Sequence, residues 1–346
     1  MSLGAERVLS QRELNRAVLA RQLLLERRKL ALPRALERVG GIQAQYAPSM
    51  YIGLWSRLRD FERAALTRAL ERRAVVQATL MRVTIHLVSA ADYWPLTAGV
   101  REARRARWLK ARPEMSQAKL RDAAVRARRK LAGGRLSRAE LIESMDARTF
   151  NGIGMWLDLV RVPPGGTWEH RRADVYAAAE DWLGACTATA GEGLELLIKR
   201  YLQGFGPGAA ADIANWAGLP PATVNDAVDG MELRRFRDEA GGLLLDLPRM
   251  PLPDPDTPAP PRFLPTWDAT LLVHCRRTLI LPEEHRPKVF HTKTPQSVPT
   301  FMVDGAVAGK WRYERGRVSL EPFGRIPRRE RGQLDAEAER LAAFHV

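Results

Sequence analysis

AVVQATLMRVTIHLVS, residues 74–89, is the stretch that decides the fold. Residues 74–78 and 81–89 alternate with a period of two, with Val83, Ile85 and Leu87 on one face, so they read as two strands of a ribbon. The chain ahead of them is helical in pattern. Across residues 8–40, Leu14, Val18, Leu19 and Leu23 are apolar, with Arg12, Arg16 and Arg21 interspersed. Pro33 suits the first turn of a second helix, residues 34–39, which Gly40-Gly41 ends. Further helices are predicted at 50–58 and 61–71. Helices followed by a two-stranded ribbon is the order of a winged helix.

The same order returns twice. From Gln117 a basic helix runs to Gly133-Gly134, Ser137 caps a short helix through Met145, and Thr149 caps another over 150–159. Residues 160–162 and 168–170 then flank Pro163-Pro164-Gly165-Gly166 as a wing-like hairpin. The third round has helices at 194–202, 209–217 and 221–231, then strands at 233–237 and 243–247 around Glu239-Ala240-Gly241-Gly242. Unrelated helical domains with incidental hairpins would give a similar pattern. Repeats are favoured because the glycine-rich hairpin falls at the same place each time. Residues 249–265 are dense in proline and read as a stiff extended linker. Beyond them the texture turns to short strands at 270–273, 277–281, 300–303, 306–311 and 317–322, closed by an amphipathic helix at 328–344. The expected fold is therefore α+β: three tandem winged-helix modules at 8–110, 111–190 and 191–250, a linker at 251–265, and a small β-rich domain at 266–346.

The 346 residues carry 55 Lys and Arg against 40 Asp and Glu, a net charge of +15. Such an excess points to a polyanionic partner such as nucleic acid, although arginine-rich composition alone gives a similar bias. Only Cys186 and Cys275 are present, far apart, and the six histidines show no metal-ligand spacing, so no metal or other cofactor is expected. No leader-like segment precedes the first helix and no run approaches the roughly 18 apolar residues of a membrane span. The expectation is a cytoplasmic monomer without membrane contact.

Gln43-Ala44-Gln45 is the stretch most suggestive of chemistry. Amides do not titrate, so they are not ordinary acid or base catalysts, but paired donors and acceptors can hold and polarise a water. On its own a Gln-x-Gln reads as two amides satisfying backbone groups at a helix end. Its neighbours Asp60 and Glu62 read as solvated, and His86, on the ribbon facing the same cleft, reads as structural. Lys199 is a conceivable Schiff-base lysine that nothing in the sequence marks. Met81, Trp94, Trp156, Trp182 and Trp216 occupy core positions of helices or strands.

With these residues in view, the chain resembles the winged-helix DNA glycosylases of the AlkZ/YcaQ type over nearly its whole length. Gln43-Ala44-Gln45 matches the Gln-apolar-Gln motif of the branch associated with resistance to azinomycin-like crosslinkers, where a sister branch carries Asp at the second amide. Leu264-Pro265-Thr266-Trp267-Asp268 is similar to the family's Leu-Pro-Pro-Phe-Asp stretch, with Thr266 and Trp267 as departures. The resemblance implies a monofunctional glycosylase, acting on double-stranded DNA that contains N7-alkylated purines and interstrand crosslinks. It also implies Gln43 and Gln45 as a pair that positions a water at C1′, each amide oxygen accepting one of its protons.

For DNA contacts, the sequence offers Arg82 on the first ribbon and Arg171 and Arg172 after the second wing. His291, Lys293 and Thr294 lie in a loop that the resemblance makes a duplex-probing hairpin. On turn statistics that loop reads equally as an ordinary surface hairpin. The rival reading of the whole chain is a winged-helix transcription regulator without catalytic activity.

Overall fold

The computed structural model describes residues 4–272, 278–290 and 296–346. Its first unit opens with strand β1 (Val8–Leu9) and helices α1 (Gln11–Arg21) and α2 (Leu32–Val39). Strand β2 (Ile42–Gln43), helices α3 (Ala47–Arg57) and α4 (Arg63–Glu71), then strands β3 (Val75–Thr79) and β4 (Ile85–Ser89) follow. Ser10 and Glu13 close a reciprocal capping box on α1. The expected ribbon is present, but its second strand starts at Ile85. Residues 81–83 form a single 3-10 turn in which Arg82 and Val83 take left-handed φ angles of 55° and 61°.

Helix α5 (Ala90–Lys110), 21 residues long, has no counterpart in the sequence reading. Ser89 caps it by accepting from the Asp92 amide at 3.1 Å. It lies on α10 (Ala190–Phe205) with backbone against backbone: a Cβ on Gly99 would sit 2.7 Å from the Gly193 carbonyl carbon. Asp92 locks the crossing through two bonds from Arg200, at 2.7 and 2.8 Å. The helices α6 (Gln117–Leu131), α7 (Arg138–Ile142), α8 (Ala147–Ile153) and α9 (Ala179–Leu183) belong to the second unit, with strands β5 (Leu136–Ser137), β6 (Leu159–Arg161) and β7 (Val175–Ala178). Asp146, not Thr149, caps α8, accepting from the Thr149 amide at 2.8 Å.

Strand β6 pairs with β3 on one side and β7 on the other, not with the expected strand at 168–170. The glycine-rich segment does not make a tight hairpin because its backbone bonds turn inward. The Gly166 amide donates to the carbonyls of His170 and Arg172, and Gln77 Nε2 donates to the Gly166 carbonyl at 2.7 Å. Trp168 then packs edge-on against Tyr51, and this compact loop displaces the pairing strand to 175–178.

The third unit adds α11 (Ala210–Ala217), α12 (Pro221–Asp229) and the hairpin β8 (Arg234–Asp238) and β9 (Leu243–Asp246). Packing crosses the expected module boundaries. One six-stranded sheet, in the order β2-β4-β3-β6-β7-β5, joins the first two ribbons, and β1 pairs in parallel with β8.

The proline-dense stretch is strapped to α1 by Arg12, which donates to the Pro255 carbonyl, and by Arg16, which donates to that of Thr257. Its last residues form a buried strand, β10 (Arg262–Leu264). With β11 (Thr300–Val303), β12 (Ala306–Glu314) and β13 (Arg317–Pro322) it makes an antiparallel sheet, accompanied by the short helix α13 (Arg286–Val289) and covered by α14 (Arg328–His345). In the described part of the strand expected at 270–273, Ala269–Leu271 form a 3-10 turn, because Asp268 caps it through the Thr270 amide; residue 273 lies outside the described residues. Of the strand expected at 277–281, residues 278–280 form a turn. Among the described residues, no helix is long and apolar enough to cross a membrane.

Two buried ion pairs fasten the pieces. Arg57 of α3 grips Asp268 with two bonds of 2.9 Å, and Arg21 of α1 grips Asp246 of β9 at 2.7 and 2.8 Å. Removing one member of such a pair strands the other charge, which costs about 3–5 kcal/mol. Asp268→Ala should lower the unfolding free energy read from urea titration by that amount. Replacing both members, as Arg57→Met with Asp268→Leu, should recover most of it.

Candidate active site

The Gln-Ala-Gln segment is held by a tight entry and a tight exit. Helix α2 ends at Gly40 in the left-handed region, φ 77°, and Gly41 follows at φ 78°. A Cβ on Gly41 would meet the Val88 side chain at 3.0 Å, so the strand is drawn close to β4. Strand β2 pairs there, Ile42 opposite Leu87 and Gln43 opposite His86, and the Ala44 amide donates to the Ile85 carbonyl at 2.8 Å. Tyr46 then caps α3, with Pro48 in its first turn.

Gln43 is buried, Gln45 half-buried, and Ala44 between them is sealed in the core. The two amides have different surroundings. Gln43 Oε1 accepts from Arg82 Nη2 at 3.1 Å. Gln45 Oε1 is shielded from solvent and has no hydrogen-bond partner.

Arg82 does not stand out on the ribbon as a phosphate contact would. Its left-handed backbone turns the side chain inward, where Nη1 donates to the Trp216 carbonyl at the end of α11. Helix C-terminal carbonyls carry partial negative charge and lack partners, so a guanidinium fits there. Gly218, at φ 75°, makes room, since a Cβ on it would lie 2.9 Å from the Arg82 amide nitrogen. Burial, helped by the neighbouring charge of Arg107, brings the Arg82 pKa down to about 10.

His86 is fully buried beside it. Burial first, then the Arg82 charge, push the imidazole pKa down to about 3 against the opposing bond to the Thr84 carbonyl. The ring is therefore neutral, with Nδ1 donating to Thr84 O at 3.0 Å. This constellation can orient a polar molecule by hydrogen bonds, and none of its groups is a proton acceptor in the neutral range.

The other expected contacts are placed as follows. Arg171 and Arg172 are exposed, and Arg171 donates to the Tyr46 hydroxyl at 3.1 Å, one residue from Gln45. A cavity of about 370 Å³ opens beside Tyr46, lined by Trp168, Arg171, Trp311, Tyr313 and His345 among others. His291, Lys293 and Thr294 lie outside the described residues. Asp60, Glu62 and Lys199 are exposed, with Lys199 bonded to Glu195. Met81, Trp94 and Trp216 are buried. The sequence reading missed the inward turn of Arg82 and its seat on Trp216. A left-handed arginine between Met81 and Val83 leaves no mark in the spacing of apolar residues.

The depressed His86 pKa fixes a stability trend. Below its ordinary pKa near 6.5 the unfolded imidazole takes a proton that the folded one refuses, so stability falls as pH drops from about 6.5 towards 3. His86→Asn should flatten that part of the acid limb in denaturant titrations. Gly218→Ala, which puts a Cβ at a left-handed position against Arg82, should cost about 1–3 kcal/mol in the same measurement.

Comparison with known proteins now adds to this geometry. The chain has no match among curated proteins. Among solved structures it is similar to the DNA glycosylase AlkZ of Streptomyces sahachiroi, with a TM-score of 0.81 at 19% identity and 97% of each chain covered. That likeness establishes a shared fold. The family described as DNA glycosylase AlkZ-like matches residues 36–344, a span that runs from α2 through the glutamine pair to the last helix. This chain belongs to the AlkZ-like DNA glycosylase family.

Proposed function

We propose that the protein is a monofunctional glycosylase that excises N7-alkylated purines from double-stranded DNA, interstrand crosslinks included, with Gln43 and Gln45 positioning the attacking water. The observation that carries this reading is the pairing of two non-titrating amides with a neutral histidine, and, among the described residues, no carboxylate bonded to Arg82 or Gln43.

An N7-alkylguanine bears a formal positive charge, so the purine leaves C1′ with the bonding pair and becomes neutral. Water adds its oxygen to C1′ and releases one proton to solvent. The leaving group needs no general acid, and what remains is to hold the water and tolerate positive charge on the sugar. An unmodified guanine is a poor leaving group and would be left intact by so mild a site. A role in repair or in self-resistance of a genotoxin producer follows from that selectivity. Arg171 and Arg172, exposed beside Tyr46, suit phosphate contacts and make binding salt-sensitive. A crosslinked base cannot swing out of the duplex, so such lesions call for an open site rather than a closed base pocket.

The test is base release from a duplex oligonucleotide with one N7-methylguanine, read as alkali-labile strand cleavage. Wild type should release the base. Gln43→Ala and Gln45→Ala should each slow it by about a hundredfold or more, the usual effect of losing a positioned dipole. With His86 neutral and the two amides non-titrating, single-turnover rates should stay level from about pH 5 to 9. Intact N7-methylguanine and crosslinked duplexes after incubation with wild type would defeat the reading.

A further inference from the structure

The two glutamines are alike in sequence and unlike in setting, and the difference comes from Arg82. A guanidinium carries donors only, so the atom of Gln43 that meets Arg82 Nη2 at 3.1 Å has to be the carbonyl oxygen. The Gln43 amide therefore cannot flip without losing that bond, and its Nε2 is turned the other way, donating to none of the described residues. Gln45 has no such clamp, and its Oε1 is an acceptor withdrawn from solvent without a partner. Such an acceptor can be completed by a ligand or a held water; Gln77 Oε1, Ser49 Oγ, Thr97 Oγ1 and Thr300 Oγ1 share the condition, and what sets Gln45 apart is its place two residues from the clamped Gln43.

Arg82 is itself rigid. Its backbone sits at φ 55°, Nη1 is tied to the Trp216 carbonyl, and Gly218 lies so close that a Cβ on it would be 2.9 Å from the Arg82 amide nitrogen. Neither of its side-chain bonds is to a carboxylate.

We propose that Arg82 is a positioning residue that divides the pair into a donor and an acceptor. Its guanidinium holds Gln43 Oε1, Gln43 meets the attacking water through Nε2–H, and Gln45 presents the carbonyl oxygen that accepts a hydrogen bond from that water, whose proton is released to solvent after attack. The water then has its hydrogen directed at Gln45, one lone pair steadied by Gln43, and the other lone pair free for C1′. This rests on the glycosylase reading above and adds an order within it: the first amide is needed as a donor, the second as an acceptor.

Acidic replacements separate the roles, because a carboxylate keeps acceptors and loses the amide donor. In single-turnover excision from the N7-methylguanine duplex, Gln43→Glu should slow the reaction more than about a hundredfold. Gln45→Glu should slow it by only about tenfold. Arg82→Met should lower the rate by about 10- to 100-fold while duplex affinity and its salt dependence stay put, and Arg82→Lys should restore part of the rate. A phosphate-binding Arg82 would instead weaken duplex affinity and reduce the slope of log K against log salt by about one.

That last pattern would overturn the proposal, as would equal losses in the two acidic variants. Should Arg82→Met fail to fold, the Gln43→Glu and Gln45→Glu comparison still decides. An inactive wild type would reject the glycosylase reading itself. An active wild type with indistinguishable acidic variants would reject only the division of roles.

Discussion

The side-chain amide of Gln22 is the point on which the architecture turns. Its oxygen accepts from Arg57 at 3.1 Å, while its nitrogen donates to the carbonyls of Val39 at 3.0 Å and Gly204 at 2.8 Å. Arg57 in turn grips Asp268, and the preceding residue, Arg21, grips Asp246 and the Leu202 carbonyl. One continuous buried polar chain thus links α1, α2, α3, α10, β9 and the segment leading out of β10. Desolvating these charges is expensive, and an apolar replacement would stabilise comparably, so strength alone does not account for them. What they supply is register: a bidentate pair fixes both distance and angle, which an apolar contact does not.

That register reaches the glutamines from both sides. Val39 is the last residue of α2, four before Gln43, and Arg57 is the last residue of α3, whose cap follows Gln45 directly. Between those clamps the segment is only a two-residue strand and a bend, too short to define its own geometry. The left-handed glycines, the His86 pairing and the Arg82 bond supply the remaining constraints. The proposed use of fixed dipoles needs them, since a dipole free to rotate towards the developing charge loses its advantage in doing so.

The sequence reveals the location of this site better than its workings. Gln43 and Gln45 stand out because two amides flank a small apolar residue just after a glycine-terminated helix. The first ribbon is legible because period-two alternation survives in it, and the third because Gly241-Gly242 marks the turn between its strands. The second ribbon misleads: Pro163-Pro164-Gly165-Gly166 has the composition of a tight turn, yet the loop it opens is stitched inward through Gln77, and long-range bonds of that kind leave no local signature. Helix α5 escapes notice because Pro95, Gly99 and a run of arginines blur its apolar stripe, and it is fixed by contact with α10 ninety residues later. Asp268 reads as part of a motif; its burial against Arg57 depends on residues 211 positions apart.

Net charge shows the same limit. Ion pairs remove acids and bases one for one, so the surplus of +15 survives every pair the fold makes. Arg21 and Arg57 are almost completely buried, and they contribute nothing to that surplus because Asp246 and Asp268 cancel them. The surplus resides instead in cations without acids. Most such cations belong on the surface, where polyanion binding would use them. Arg82 is an exception, an arginine turned inward onto a carbonyl and an amide. Composition counts that charge together with the rest, although its surroundings suit it to orienting Gln43 more than to meeting phosphate. A sequence thus states how much positive charge lacks a partner, and only the backbone conformation at Arg82 determines that part of it faces the glutamines.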